Sequence, residues 1–184
     1  TDDLDVGAYR LNNGTEAFDS YDFDLRYLLL DQERFLFDLG LRAGVTWFSQ
    51  LDADDAAGPF VQLLVDHELR HQLTIASGLL FHGESTGDRK SDEDKAWSLA
   101  VPLLVEARLT PWLAWNLETV LNVAGYGAAH PVFTSSLKIL TARHTFSLVA
   151  STTQYIGADG LPAGTRRSLD EMIVGFTITR ELGL

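Results

Sequence analysis

The chain has 184 residues, 46% of them hydrophobic, a formal net charge of -12 and no cysteine. That length suits a single domain over residues 1–184. The acidic balance excludes the basic face that nucleic acid requires, the lack of cysteine excludes disulfides and thiol chemistry, and no run of about 18 apolar residues is present to form a transmembrane helix.

Read from the N-terminus, the chain is a series of segments in which apolar and polar residues alternate. Strands are predicted at Leu4–Leu11, Tyr21–Leu30, Phe35–Ser49, Phe60–Leu69 and Leu73–His82. They continue at Trp97–Leu109, Leu113–Ala124, Val132–Thr141, His144–Thr153 and Glu171–Arg180. The sixth and seventh are the clearest. Trp97, Leu99, Val101, Leu103, Val105, Ala107 and Leu109 fall on one face, with Ser98, Ala100, Glu106 and Arg108 on the other. Leu113, Trp115, Leu117, Leu121 and Val123 likewise oppose Asn116, Glu118 and Asn122. Successive side chains of a strand point to opposite faces, so each segment has one apolar and one polar face. Pro102 interrupts the sixth strand, and a bulge or local break is expected there because proline cannot donate to a ladder.

The connections alternate in length. Asp31–Arg34, Arg70–His71, Thr110–Pro111 and Ala142–Arg143 are tight, whereas Asn12–Ser20, Gln50–Pro59, Gly83–Ala96, Gly125–Pro131 and Gln154–Asp170 are long and polar. In an antiparallel meander this puts every long loop at one end and every tight turn at the other. Transmembrane barrels have that asymmetry. The expected fold is therefore all-β, an antiparallel up-and-down transmembrane β-barrel of about ten strands. Several strands exceed the roughly 9–11 tilted residues that cross a bilayer. Trp47, Trp97, Trp112 and Trp115 lie near strand ends, as interfacial aromatic girdles do.

Alternation alone does not say which face points inward, since a soluble carrier barrel has its apolar face inside. The polar face decides the reading. It collects Asp22, Asp24, Arg26, Asp38, Gly40, Arg42, Gly44, Ser98, Glu106, Arg108, Asn116, Glu118, Asn122, Lys138 and Thr177. Small residues mixed with opposite charges, and few lysines, suit a narrow lumen better than a solvated surface. The predicted lumen network is Asp22, Asp24, Arg26, Asp38, Arg42, Glu106, Arg108, Asn116, Glu118 and Lys138, with Arg26, Arg42 and Arg108 each expected beside a carboxylate. The predicted lipid-facing residues are Leu99, Val101, Leu103, Trp115, Leu117 and Leu121.

Chemistry-bearing motifs are sparse. His67 and His71 sit at a strand end and turn, where a spacing of four does not converge two ligands. The acidic runs Asp52, Asp54, Asp55 and Asp88, Asp92, Glu93, Asp94 lack an EF-hand pattern and read as solvated loops. No Gly-x-Ser-x-Gly elbow, Walker loop, dinucleotide fingerprint or zinc-protease helix occurs. The expectation is no catalytic residue, no metal and no cofactor.

Several stretches carry a resemblance: Thr1 to Gly7, Tyr21 to Gln32, Leu73 to His82, Arg143 to Gln154 and the closing Gly175 to Arg180. In that order and spacing the chain resembles bacterial outer-membrane barrels of the family known as domain of unknown function 5777. The resemblance implies an outer-membrane location, and histidines at His82 and His144. It also implies further strands upstream of the position matching Thr1, so the barrel is either a ten-stranded member or part of a twelve-stranded one. The chain opens without methionine or a signal-peptide core, which implies a removed leader or a piece of a longer product. Its end, Leu182-Gly183-Leu184, lacks the terminal aromatic common in such barrels. No activity comes with the family.

The expected function is that of a non-enzymatic outer-membrane barrel with an obstructed polar lumen, a structural or partner-binding subunit of a surface assembly. The alternatives are a narrow channel for small solutes and a soluble barrel carrying an apolar ligand. Expected partners are outer-membrane lipid and protein subunits on the long-loop side, with no nucleic acid. The charged loop of residues 83–96 is the expected contact for a neighbouring subunit or a neighbouring loop, because alone it buries too little to offset its ordering entropy.

Overall fold

The computed structural model describes residues 4–12, 18–50, 56–83, 97–153, 158 and 160–180. They form ten strands: β1 Leu4–Asn12, β2 Phe18–Leu30, β3 Asp38–Gln50, β4 Ala56–Leu69, β5 Leu73–His82, β6 Ser98–Thr110, β7 Leu113–Gly125, β8 Val132–Leu140, β9 His144–Ser151 and β10 Ile173–Arg180. Each pairs antiparallel with its sequence neighbour in one up-and-down sheet ordered β1 to β10. Two single 3-10 turns, Leu161–Ala163 and Leu169–Glu171, lie between β9 and β10. Among the described residues β1 pairs only with β2 and β10 only with β9, so no ladder joins the two ends of the sheet.

The tight turns all fall at one end and the long connections at the other. Arg70 and His71 turn β4 into β5 with both residues left-handed, at φ 55 and 54. Between β8 and β9, the Thr141 hydroxyl donates to the His144 carbonyl (2.7 Å) and accepts the His144 N–H (3.0 Å). The β2–β3 connection corrects the sequence reading, which began the third strand at Phe35. The Arg34 and Phe35 N–H groups both bond to the Asp31 carbonyl, at 3.0 and 2.9 Å, and wind residues 31–37 into a turn. The strand therefore starts at Asp38, whose carboxylate accepts the Gln32 N–H. Phe35, Leu36 and Phe37 are left exposed at that turn.

At Pro102 the expected break is present. The β5–β6 ladder runs to Ser77↔Leu103 and resumes at Leu80↔Ala100, with no pair opposite Gly78 and Leu79. A register shift also separates Leu99 from Ala100 in the β6–β7 ladder.

Directly paired residues share a face. The row Asp24, Gly44, Phe60, His82, Ser98 is thus on one side of the sheet, and Leu25, Ala43, Val61, Phe81, Leu99 on the other. The first side is buried: Asp22, Asp24, Thr46, Phe60, His82, Ser98, Ala100, Asn116, Val120 and Ser136 are all nearly inaccessible. The opposite side is exposed and apolar. Its described residues on β3 to β9 include no Asp, Glu, Lys or Arg. Its histidines, His67 and His144, lie next to the tight turns.

Candidate functional site

Two walls of the buried face differ in chemistry. On β2–β4 it is ionic. Asp24 and Asp22 alternate along β2, so both carboxylates point inward with Arg26. Asp24 accepts Arg26 Nε at 2.9 Å and Arg42 Nη2 at 2.7 Å, and Arg42 Nη2 also lies 4.0 Å from Asp22. The Arg42 guanidinium rests 4.8 Å from the centre of the Phe60 ring, which stacks in turn on the imidazole of His82 at 6.0 Å. The Thr46 hydroxyl donates to Asp22 Oδ1 (2.6 Å), so the His82 Nε2–H, 3.1 Å from Thr46 Oγ1, is the donor in the next bond. A continuous polar chain therefore runs His82, Thr46, Asp22, with Arg42, Asp24 and Arg26 beside it. Gly44 makes room for it: a Cβ there would stand 2.2 Å from the Phe23 carbonyl oxygen and 2.8 Å from the Phe60 ring.

On β6–β8 the same face is apolar at the long-loop end. Ala100, Val120 and Val132 form a closed cluster on which Leu161 packs. Leu161 belongs to the β9–β10 connection, which lies on the buried side of the sheet as a strap. Its attachments to the β7–β8 side are many. Asn122 Nδ2 donates to the Pro162 carbonyl (2.7 Å) and the Tyr126 carbonyl (2.6 Å). The Ala128 N–H bonds to the Ala163 carbonyl at 2.7 Å, and His130 and Thr165 exchange two backbone bonds of 2.9 Å. The Thr165 hydroxyl closes the strap onto the Thr152 carbonyl (2.7 Å). Toward β2 the strap reaches with the Ala158 N–H, 3.3 Å from Asp22 Oδ2. The described residues of this connection thus touch both walls.

At the tight-turn end the same face carries Asp38 and Asp66 directly opposite one another, and Glu106 with Lys138, bonded at 2.5 Å. Gln32 ties the β2–β3 turn to β4 by donating Nε2 to the Glu68 carbonyl (2.9 Å) and accepting the Glu68 N–H (2.7 Å).

Nine of the ten expected network residues take places on this interior: Asp22, Asp24, Arg26, Arg42, Asp38, Glu106, Lys138, and Asn116 and Glu118 in the β7 row between them. Arg108 departs from expectation. It is on the same face but is exposed beside the Pro111–Trp112 turn, with no ion pair to the described residues, because at the strand end water solvates it. Of the six residues expected to face outward, Leu103, Trp115, Leu117 and Leu121 are exposed, while Leu99 and Val101 are half-buried beside the β6–β7 irregularity. Asn122 lies on the inward face as its alternation predicts, whereas Phe60, His82 as a partner of Thr46, and the strap are not foreseen by the sequence pattern. Residues 160–164 read Gly-Leu-Pro-Ala-Gly, an apolar patch bracketed by glycines inside a loop taken as polar, and that was the available signal.

Trp47 and Trp97 mark the long-loop end of the exposed face, each beside another aromatic (Tyr21 at 5.5 Å, Phe81 at 6.3 Å). Trp112 and Trp115 mark the tight-turn end, where the Trp115 indole N–H donates to the Ser135 hydroxyl (3.0 Å). His82 ends β5 at the long-loop end and His144 begins β9 at the other, so they do not meet. Among the described residues no three His, Cys, Asp or Glu side chains group as metal ligands. The acidic runs at residues 51–55 and 84–96, and the charged loop containing the second, lie outside the described residues. No family model matches the chain, and neither a curated protein nor a solved structure matches it.

Proposed function

We propose that this sheet is the wall of a non-enzymatic β-barrel in the bacterial outer membrane. Its lumen is closed by its own β9–β10 strap, and it acts as a structural or partner-binding subunit of a surface assembly. One observation carries the reading: on β3 to β9 every described Asp, Glu, Lys and Arg of the strands faces the interior, while the other face is apolar and exposed. An exposed apolar surface that spans seven strands far exceeds the few hundred Å² that a water-soluble monomer tolerates. In hydrocarbon it is the expected solvent face. Tryptophans at both ends of that face fit the two membrane interfaces. The β1 and β10 edges also need partners, since an unpaired ladder is costly in lipid. They close on one another, or on further strands of a longer product.

A carrier of apolar ligands needs the reverse arrangement, and here the small interior apolar cluster is already occupied by Leu161.

The test is fractionation followed by site-directed labelling, which the cysteine-free chain makes unambiguous. Leu121→Cys and Leu137→Cys should be quenched by lipid-soluble and not by water-soluble reagents, and the folded protein should require detergent and run with heat-modifiable mobility. A protein that remains in the soluble fraction with both positions open to water-soluble reagents overturns the reading. Gly7→Cys combined in turn with Thr177→Cys and Thr179→Cys, all on inward rows, reports whether the two edges pair within one chain.

A further inference from the structure

Three consecutive tight turns meet along one rim of the sheet. The Arg108 N–H donates to the Gln72 carbonyl (2.7 Å), which sets the end of β6 against the β4–β5 turn. The Leu140 N–H donates to the Trp112 carbonyl (2.8 Å), which sets the β6–β7 turn against the end of β8. Each of the three connections brings an arginine to this rim. Arg70 and Arg143 sit in the turns themselves and Arg108 ends an inward row, and all three side chains are exposed. Among the described residues none of the three has an ion pair. The carboxylates nearest to them in sequence, Glu68 and Glu106, face His71 at 3.3 Å and Lys138 at 2.5 Å. In a chain of net charge -12 this rim is the exception. The β2–β3 turn does not share its character, because Arg34 there follows Asp31 and Glu33.

The same rim is apolar as well as basic. Leu69, Leu109 and Trp112 are exposed on it, and the two leucines end rows of the outward apolar face. We propose that this rim binds the head groups of acidic phospholipids, with phosphate on the three arginines and the upper acyl chains on Leu69, Leu109 and Trp112. This rests on the membrane-barrel reading and names the lipid class that the tight-turn end prefers. A guanidinium meets phosphate oxygens with paired N–H groups and keeps its charge at any ordinary pH. Its aliphatic stem lies along apolar surface while the charged head reaches the aqueous boundary, where tryptophan also settles. A free anion would use the arginines alone. Continuity of the rim with the outward apolar face is what singles out lipid.

The experiment measures the lipid preference of the inserted full chain. The protein is reconstituted into vesicles of phosphatidylcholine and phosphatidylglycerol in equal parts and extracted in mild detergent. The lipids it retains are then identified by native mass spectrometry. The parent should retain phosphatidylglycerol over phosphatidylcholine, and less so at high salt. Each of Arg70→Gln, Arg108→Gln and Arg143→Gln should lower that preference by about fivefold, the contribution of one basic residue near an anionic surface. Arg143→Lys should largely keep it, and the triple glutamine variant should come close to parity. Heat-modifiable mobility checks the fold of each variant. If the triple variant fails that check, Arg143→Gln, altered only at an exposed turn side chain, is decisive. Inorganic phosphate should compete no better than chloride at equal ionic strength, and stronger competition would make the rim a free-anion site and overturn the lipid assignment. A parent that inserts without preference, or a preference that survives the glutamine variants, overturns the proposal alone. A parent that inserts into neither lipid overturns the membrane reading itself.

Discussion

On β2–β4 the interior is held by charge: two carboxylates share two guanidiniums, and a threonine and a histidine extend the chain. On β6–β8 it is held by the fit of Leu161 into Ala100, Val120 and Val132. The two walls answer the same demand, filling a buried face, with terms of different steepness. Removing one member of a buried ion network leaves the others charged and unmatched, whereas trimming an apolar cluster loses only the contacts of the removed atoms. The charged wall should therefore respond abruptly to substitution and the apolar wall gradually.

The largest effect is expected at Arg42. Arg42→Ala leaves Asp24 with one arginine and removes the described ion pair of Asp22, and should destabilise the folded protein by about 3–5 kcal/mol in urea unfolding followed by tryptophan fluorescence. Gly44→Ala on the same wall should cost about 3 kcal/mol, the upper part of the range for overpacking, because the new methyl meets a backbone carbonyl that cannot move aside. On the apolar wall Val120→Ala should cost about 2 kcal/mol by the same measurement, the low end for truncating a buried aliphatic side chain. Equal costs at Arg42 and Val120 would break the comparison.

A gain of stability is expected where neither wall is involved. His71 is a left-handed residue with an exposed side chain, and His71→Gly should stabilise the β4–β5 turn by about 1 kcal/mol in thermal melting. The smallest effect is electrostatic and lies outside the strands. The Ser168 hydroxyl, and after it a backbone N–H, hold the exposed Asp170 carboxyl below its ordinary value. A depressed folded-state value means that the contribution is present above the ordinary carboxylate range and lost as pH falls through the lowered value. Carboxyl NMR titration should find Asp170 titrating at higher pH in Ser168→Ala than in the parent, and an unchanged titration would refute the hydroxyl's role.

The strands were legible because alternation is a local signal: each side chain reports its face from its parity alone, and the segments β5 and β7 could be bounded almost to the residue. The start of β3 was not legible. Phe35-Leu36-Phe37 continues an apolar run, and only the carbonyl of Asp31, accepting two N–H groups, turns those residues out of the strand. The charged half of the candidate site followed from parity, since Asp22, Asp24, Arg26 and Arg42 all fall on one face. Phe60 and His82 were invisible as members of it, because an aromatic on the polar row reads as an exception until the register sets it against Arg42.

What the sequence determined by itself was thus the meander, the separation of its two faces and the placing of long and short connections at opposite ends. Each depends on neighbours within a few residues or on simple counting along the chain. Only the tertiary structure decided which carboxylate each arginine meets and why Arg108 meets none of those described. It also decided that residues 160–165 turn back against the sheet. Those outcomes depend on register and contact between segments up to 136 positions apart, as Ala158 and Asp22 are, and no local pattern encodes such a separation.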